Sequence, residues 1–169
     1  MIEPNKIKKI YRKVAARNDK FRVFLKNNAD SDELDSYFLR IHDELFASYD
    51  CCKCNNCCRL YDIRVEKNDI AVISEYLRLP ENDFIEQYLV KNDDEYIIKE
   101  KPCRFLDEDG KCRIQSIKPQ VCRDFPHTNK PYRLYNMLGV FSFAEECPVV
   151  FEIIERLKLI YDYEVRKYK

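Results

Sequence analysis

Five thiols fall within eight residues, Cys51-Cys52-Lys53-Cys54-Asn55-Asn56-Cys57-Cys58, and four more follow at Cys103, Cys112, Cys122 and Cys147. Thiolate is the metal-binding form of cysteine, and this soft donor selects zinc, copper(I) or iron–sulfur clusters. Cys51, Cys54 and Cys57 have the C-x2-C-x2-C spacing. Two intervening residues let a chain wrap around one centre, as in zinc sites and cubane clusters. The neighbours Cys57 and Cys58 are expected to point apart. They would then serve two adjacent centres, or one would ligate and the other sit outside it. Leaving out Cys52 gives eight thiols, Cys51, Cys54, Cys57, Cys58, Cys103, Cys112, Cys122 and Cys147. That set suffices for two four-thiolate sites. Arginine directly follows four of the cysteines, at Arg59, Arg104, Arg113 and Arg123, where composition alone gives roughly one. Guanidinium donors would offset the surplus negative charge of a four-thiolate centre.

Other chemistry is thinly represented. There are two histidines, too few for a Ser/His/Asp set. His127, five residues after Cys122, could shuttle a proton or ligate a metal, but a lone histidine reads better as a surface or hydrogen-bonded group. His42 is expected to be exposed. No catalytic residue is assigned. The only glycines are Gly110 and Gly139, and no phosphate-loop or dinucleotide fingerprint is present.

The elements that must position the thiols follow from periodicity. The chain has 169 residues, 46% hydrophobic and 13% aromatic, enough for a packed core. Its 36% charged residues balance to zero, so composition favours neither nucleic acid nor membrane. Ile7, Ile10, Val14, Phe21 and Phe24 recur at helical spacing. That segment is basic: Met1–Lys26 holds nine Lys and Arg against Glu3 and Asp19, a net of +7. Asp30 with Glu33 resembles a capping box opening a second helix, with Leu34, Phe38, Ile41 and Leu45 inward. Residues 30–50 carry seven acids against Arg40, a net of −6. The two read as an antiparallel helical hairpin whose charges neutralise each other, in preference to a nucleic-acid contact.

Short strands are expected at 61–65 and 95–99, and helices from Lys67 or Asn68 to Pro80 and over 82–91. Asp109-Gly110 marks a turn between Cys103 and Cys112, so these thiols flank a hairpin. Residues 131–143 have no assignable period. Pro148 fits the first position of a last helix, with Val150, Ile153, Ile154, Leu157, Ile160 and Tyr161 as its stripe. The expected fold is α+β and helix-rich: a cysteine-lined metal core with short hairpin strands, flanked by an N-terminal helical hairpin and a C-terminal helix. In domain terms, 1–49 is the hairpin, 50–150 the cysteine-cluster domain and 151–169 the final helix.

Four blocks in order then resemble one family. Cys51-x-x-Cys54-x-x-Cys57-Cys58, Cys103-Arg-Phe-Leu-Asp-Glu-Asp-Gly-Lys-Cys112, Lys118-Pro119-Gln-Val-Cys122-Arg123-Asp-Phe125-Pro126 and Cys147-Pro148 are similar to the CxxCxxCC or YkgJ-like cysteine-cluster proteins, zinc- or iron-chelating domains. The resemblance covers about residues 50–150. It implies that the eight cysteines named above ligate metal and that Cys52 is extra. Lys118 stands where arginine is usual. Asn55 stands where glycine is common, and asparagine tolerates the left-handed backbone such a turn needs. A similar block in flagellin lysine methylase implies a link to protein methylation.

The leading expectation is a metal-binding protein holding zinc in two four-cysteine sites, or iron, including as an iron–sulfur cluster. The alternatives are an iron–sulfur-dependent enzyme or part of a protein-modifying system of the lysine-methylation kind, and a zinc-stabilised nucleic-acid or protein interaction module. Metal is the expected partner and a protein a further one; nucleic acid and membrane are not expected. With no apolar leader and no spanning run, the cytoplasm is the expected location. A reducing compartment also favours ligand thiols over disulfides.

Overall fold

The computed structural model describes residues 1–163. In chain order its elements are α1 Ile7–Asn28, α2 Ser31–Phe46, α3 Asn56–Leu60, β1 Arg64–Val65, α4 Lys67–Leu77, α5 Glu81–Tyr88, β2 Leu89–Asn92, β3 Glu95–Ile98, α6 Gln120–Asp124, α7 Met137–Ser142 and α8 Pro148–Ile160. The α+β, helix-rich class is thus observed, with an N-terminal helical pair, a small three-stranded sheet and a last helix. The chain divides into two compact units. Unit 1 is Met1–Asp50 with the chain from Pro126 onward, and unit 2 is Cys51–Phe125.

Unit 1 is helical. Pro148 takes the first position of α8, where its missing N–H costs nothing. Val149, Val150, Ile153, Ile154 and Leu157 are fully buried, so α8 is apolar on most of its circumference and sits inside the unit. Both α1 and α2 pack on it. From α1 come Phe21 and Leu25, and from α2 come Leu34, Phe38, Ile41 and Leu45. α1 ends where Asn27-Asn28 breaks the pattern, and the Asn28 side chain donates to the Phe24 carbonyl at 2.8 Å. Asp30 caps α2, its carboxylate accepting from the N–H groups of Asp32 and Glu33 at 3.0 Å each. The reciprocal half of the expected box is not made: Glu33 accepts from the Tyr37 hydroxyl at 2.8 Å. The final helix expected over 151–169 is α8, which runs to Ile160; residues 164–169 lie outside the described residues.

The stretch 131–143, without a clear period, is a loop followed by the short helix α7. Asp35 of α2 holds the loop, its carboxylate accepting from Tyr132 N–H at 2.6 Å and Arg133 N–H at 2.8 Å. The buried Arg133 guanidinium donates to the carbonyls of His127 and Pro131 at 2.7 and 2.9 Å. His42 differs from expectation. It is half-buried, with Nδ1 at 2.7 Å from the Thr128 hydroxyl and its ring against Phe46. Burial holds its pKa below the usual histidine value.

Unit 2 is built on an antiparallel sheet of order β1-β3-β2. β2 and β3 pair with Leu89 opposite Ile98 and Asn92 opposite Glu95, around a two-residue Asp93-Asp94 turn in which Asp93 has φ 51°. The helix expected over 82–91 therefore stops at Tyr88. Leu89 to Asn92 turn extended because pairing with the β-branched Ile97 and Ile98 secures their backbone groups. The opposite strand β1 sets Val65 across from Tyr96. Glu66 and Asp69 close a capping box on α4. The core joins Ile63, Val65, Ile70, Ile73, Phe84, Phe105 and Ile114. Tyr88 stacks parallel on Phe105 at 5.4 Å, and the Arg104 guanidinium lies over Tyr88 at 4.4 Å.

Candidate metal centre

The dense cysteine stretch folds as a knuckle. Cys51–Lys53 form one 3₁₀ turn, with the N–H groups of Cys54 and Asn55 both donating to the Cys51 carbonyl at 3.0 Å. Asn55 takes the left-handed conformation, φ 58° and ψ 7°, as its tolerance of that region predicts. This reverses the chain into α3, which carries Cys57 and Cys58. The nearly buried Asn55 amide fixes the reversal, donating to the Cys52 carbonyl at 2.7 Å.

Three further thiols of unit 2 are positioned by separate devices. Cys103 N–H donates to the Cys58 carbonyl at 2.7 Å, which pins the next segment to the knuckle. The expected Cys103–Cys112 hairpin exists as a tight loop with a single bridge between Leu106 and Cys112. Asp107 N–H donates to Lys111 O at 2.9 Å and Gly110 N–H to Asp107 O at 3.0 Å. Gly110 has φ 85°, and a Cβ there would lie 2.6 Å from Asn55 Nδ2 and 2.8 Å from the Cys52 carbonyl. The loop therefore reaches the knuckle only through a residue without a side chain. Cys122 sits on α6, whose first N–H, that of Gln120, donates to the buried Asp69 carboxylate at 3.2 Å. The same carboxylate accepts from Glu66 N–H at 3.3 Å. One side chain thus caps α4 and also seats the helix bearing Cys122.

The thiols share one electrostatic environment. Cys57 and Cys58 Sγ stand 3.9 Å apart, so these neighbours converge instead of diverging as expected. The distance is close to the roughly 3.8 Å between two thiolates on one tetrahedral zinc with 2.3 Å bonds. Cys57 shares its proton with Cys58: the S–H···S contact raises Cys57 and lowers Cys58, which Lys118 and Arg59 also favour as thiolate. Burial pushes Cys103 up to about 11 and Cys122 up to about 12, and it raises Cys112 as well. Each of these three also feels the charge of Cys58, and Cys57 feels Cys51 and Cys122. Without a cation the buried thiols keep their protons; a bound metal would displace them.

All nine cysteines are reduced. Among the described residues, no three His, Cys, Asp or Glu side chains stand close enough to hold a metal as they are. The donor chemistry fits a soft metal, while the shell is not closed. Cys147 belongs to unit 1, where it stands at the N-cap position of α8 and is half-buried beside that unit's core. His127 also lies in unit 1, with φ 63° and its ring 6.4 Å from Phe143.

The arginines after the cysteines direct their donors to oxygen. Arg104 bonds Gln87 O at 2.9 Å and Glu100 at 3.4 Å. Arg113 bonds the Arg104 carbonyl and pairs with Asp107. Arg123 bonds the Lys118 carbonyl and Gln120. These three brace the loops that carry the thiols, while Arg59 acts on the charge of Cys58 and Arg113 on that of Cys103.

With this geometry in view, residues 50–148 match the model of the CxxCxxCC family, described as "Putative zinc- or iron-chelating domain". The chain belongs to the CxxCxxCC family. An uncharacterised protein of Methanocaldococcus jannaschii, MJ0661, is 35% identical over 86 residues, 48% of this chain and 46% of that protein. The match thus spans about half the length of this curated relative. No solved structure matches the chain. The CxxCxxCC match takes in every cysteine of the chain, together with Asp69 and Gly110. No helix among the described residues is long and apolar enough to cross a membrane.

Asp69 was not evident from sequence, where it is one acid among many. Asp69→Asn is expected to cost about 1–3 kcal/mol, since a cap and a buried acceptor are weakened together. It should also lower the metal affinity by loosening Cys122. Denaturant unfolding of the metal-loaded and metal-stripped proteins, with a chromophoric chelator as competitor, measures both effects.

Proposed function

We propose that this CxxCxxCC protein chelates zinc or iron through eight thiolates, Cys51, Cys54, Cys57, Cys58, Cys103, Cys112, Cys122 and Cys147. The observation that carries the reading is the gathering in one compact unit of seven of these thiols, all reduced, from four neighbouring segments of chain, the 3₁₀ turn, α3, the 103–112 loop and α6, with several feeling one another's charge; Cys147, in unit 1, is added from the family's sequence pattern. Burial disfavours the thiolate form of Cys103, Cys112 and Cys122. A thiophilic cation offsets that penalty and becomes part of the folding free energy. Eight thiolates supply two four-coordinate sites with no open position, a structural arrangement of metal. Iron with sulfide would instead make a redox centre of the same donors. Cys52 stays outside the set. Its thiol lies 4.0 Å from the Gln115 side-chain oxygen.

The deciding experiment is anaerobic purification followed by analysis for zinc, iron and acid-labile sulfide. The expected result is bound zinc or iron at one or more equivalents per chain. Colourless protein with two zinc ions assigns the closed tetrathiolate form, and brown protein with iron and sulfide assigns the cluster. Protein that holds none of these after metal supplementation, with all nine thiols titratable, overturns the reading.

A further inference from the structure

The basic helix α1 keeps an uncompensated charged face in the folded unit. At 100° per residue, Lys9, Lys13 and Lys20 fall within about 40° of one another around the helix, with Arg12 about 60° to one side. All four are exposed. Both helices pack on α8, and no acid of α2 pairs with these four cations among the described residues. None of the four cations has an ion pair among the described residues, whereas Lys6 pairs with Glu3 and Lys8 with Glu145. Asp19, Glu145 and Glu146 all act on Tyr11, which points to the opposite side of α1 from Lys9. Lys9, Lys13 and Lys20 have no acid between them; Asp19, the only acidic residue of α1, lies about 20° beyond Arg12 at the edge of the face.

A row of cations with nothing bulky between them suits a regular polyanion. From Lys9 to Lys20 the helix rises about 17 Å, near half of the roughly 34–36 Å turn of a B-form duplex. A membrane surface fits less well, since an interfacial helix needs a free apolar face. In α1 the large apolar residues Ile7, Phe21 and Leu25 are buried in the unit, and the exposed face offers only Ala16 and Val23. We propose that Lys9, Arg12, Lys13 and Lys20 of α1 bind the phosphodiester backbone of double-stranded nucleic acid without reading its sequence. This reverses the expectation drawn from net charge, because the balance to zero is a sum over the chain and the four cations face one way. It stands apart from the metal reading, as α1 and the knuckle belong to different units.

The test is fluorescence anisotropy of the full, metal-loaded chain with a labelled 20-base-pair duplex. Four neutralised phosphates give a salt slope of roughly −3.6, so binding should weaken about a hundredfold between 50 and 200 mM salt. K9Q/K13Q/K20Q keeps helix propensity and should bind at least tenfold more weakly at 50 mM, with a slope near −1. K9R/K13R/K20R should restore both. K67Q/K91Q/K101Q removes the same charge from unit 2 and should bind as the natural chain does. Absence of duplex binding at 50 mM salt overturns the proposal. So does an equal loss in the two glutamine variants, or binding to phosphatidylserine vesicles without binding to duplex.

Discussion

Replacing Gly110 by alanine is expected to destabilise unit 2 by about 2–5 kcal/mol and to cost it metal. Two effects coincide at this residue. Its φ of 85° is a conformation that a Cβ disfavours, and the Cβ itself would fall 2.6 Å from Asn55 Nδ2 and 2.8 Å from the Cys52 carbonyl. The second contact cannot be relieved by turning a side chain, because the obstructing atom is backbone. Either the 103–112 loop backs away from the knuckle, or Asn55 releases Cys52 and the left-handed reversal loosens. Both routes separate Cys112 from Cys57 and Cys58. Urea unfolding with and without chelator distinguishes them from a simple turn defect. A defect confined to the turn costs the same in both states, whereas loss of the knuckle contact costs more with metal present. Asn55→Ala should reproduce part of the loss, since it removes the 2.7 Å bond to Cys52 while leaving the loop its glycine.

Cys58→Ser and Cys112→Ser are expected to lower bound metal by at least one equivalent and to destabilise the loaded protein by several kcal/mol, because a structural metal contributes on the order of 10 kcal/mol to folding. Cys52→Ser is the matched control. It changes a thiol in the same knuckle but outside the eight, so metal content and melting temperature should stay near those of the natural chain. Metal analysis and calorimetry of the three variants read both quantities. Equal retention in all three would remove Cys58 and Cys112 from the ligand set, and loss in Cys52→Ser would bring the extra thiol into it. A further measure is proton release on loading at pH 7. Burial raises Cys103, Cys112 and Cys122 above the ordinary thiol range, so these thiols start protonated and must give up their protons to the solvent. Cys58, lowered by its neighbour, contributes less.

The parts of the fold written in long periodic segments were legible. α1, α2 and α8 each repeat apolar residues over several turns, and their ends carry their own signals in Asn28, Asp30 and Pro148. Short elements were less so. Leu89 to Asn92 is four residues long and continues the apolar spacing of α5, so only its pairing with β3 reveals it as a strand. Residues 131–143 depend on Asp35, about a hundred positions earlier, for the bonds that hold their loop. At the candidate centre the thiols announced themselves by density and spacing, and Asn55 by its tolerance of the left-handed turn. What could not be read was the supporting chemistry. Asp69 joins α4 to α6 by backbone bonds that leave no mark in spacing. The convergence of Cys57 and Cys58 depends on rotamers, and three of the four arginines proved to brace loops.

The two units are threaded differently, and this matters while the protein is being made. Unit 2 is one uninterrupted stretch, whereas unit 1 needs α8 to join helices laid down more than a hundred residues earlier. Domains fold as they leave the ribosome, in order of emergence. The knuckle, the 103–112 loop and α6 are therefore all synthesised before the last helix, and unit 2 can begin to fold first. α1 and α2 meanwhile wait with their apolar faces uncovered, which is the interval in which a chaperone has most to protect.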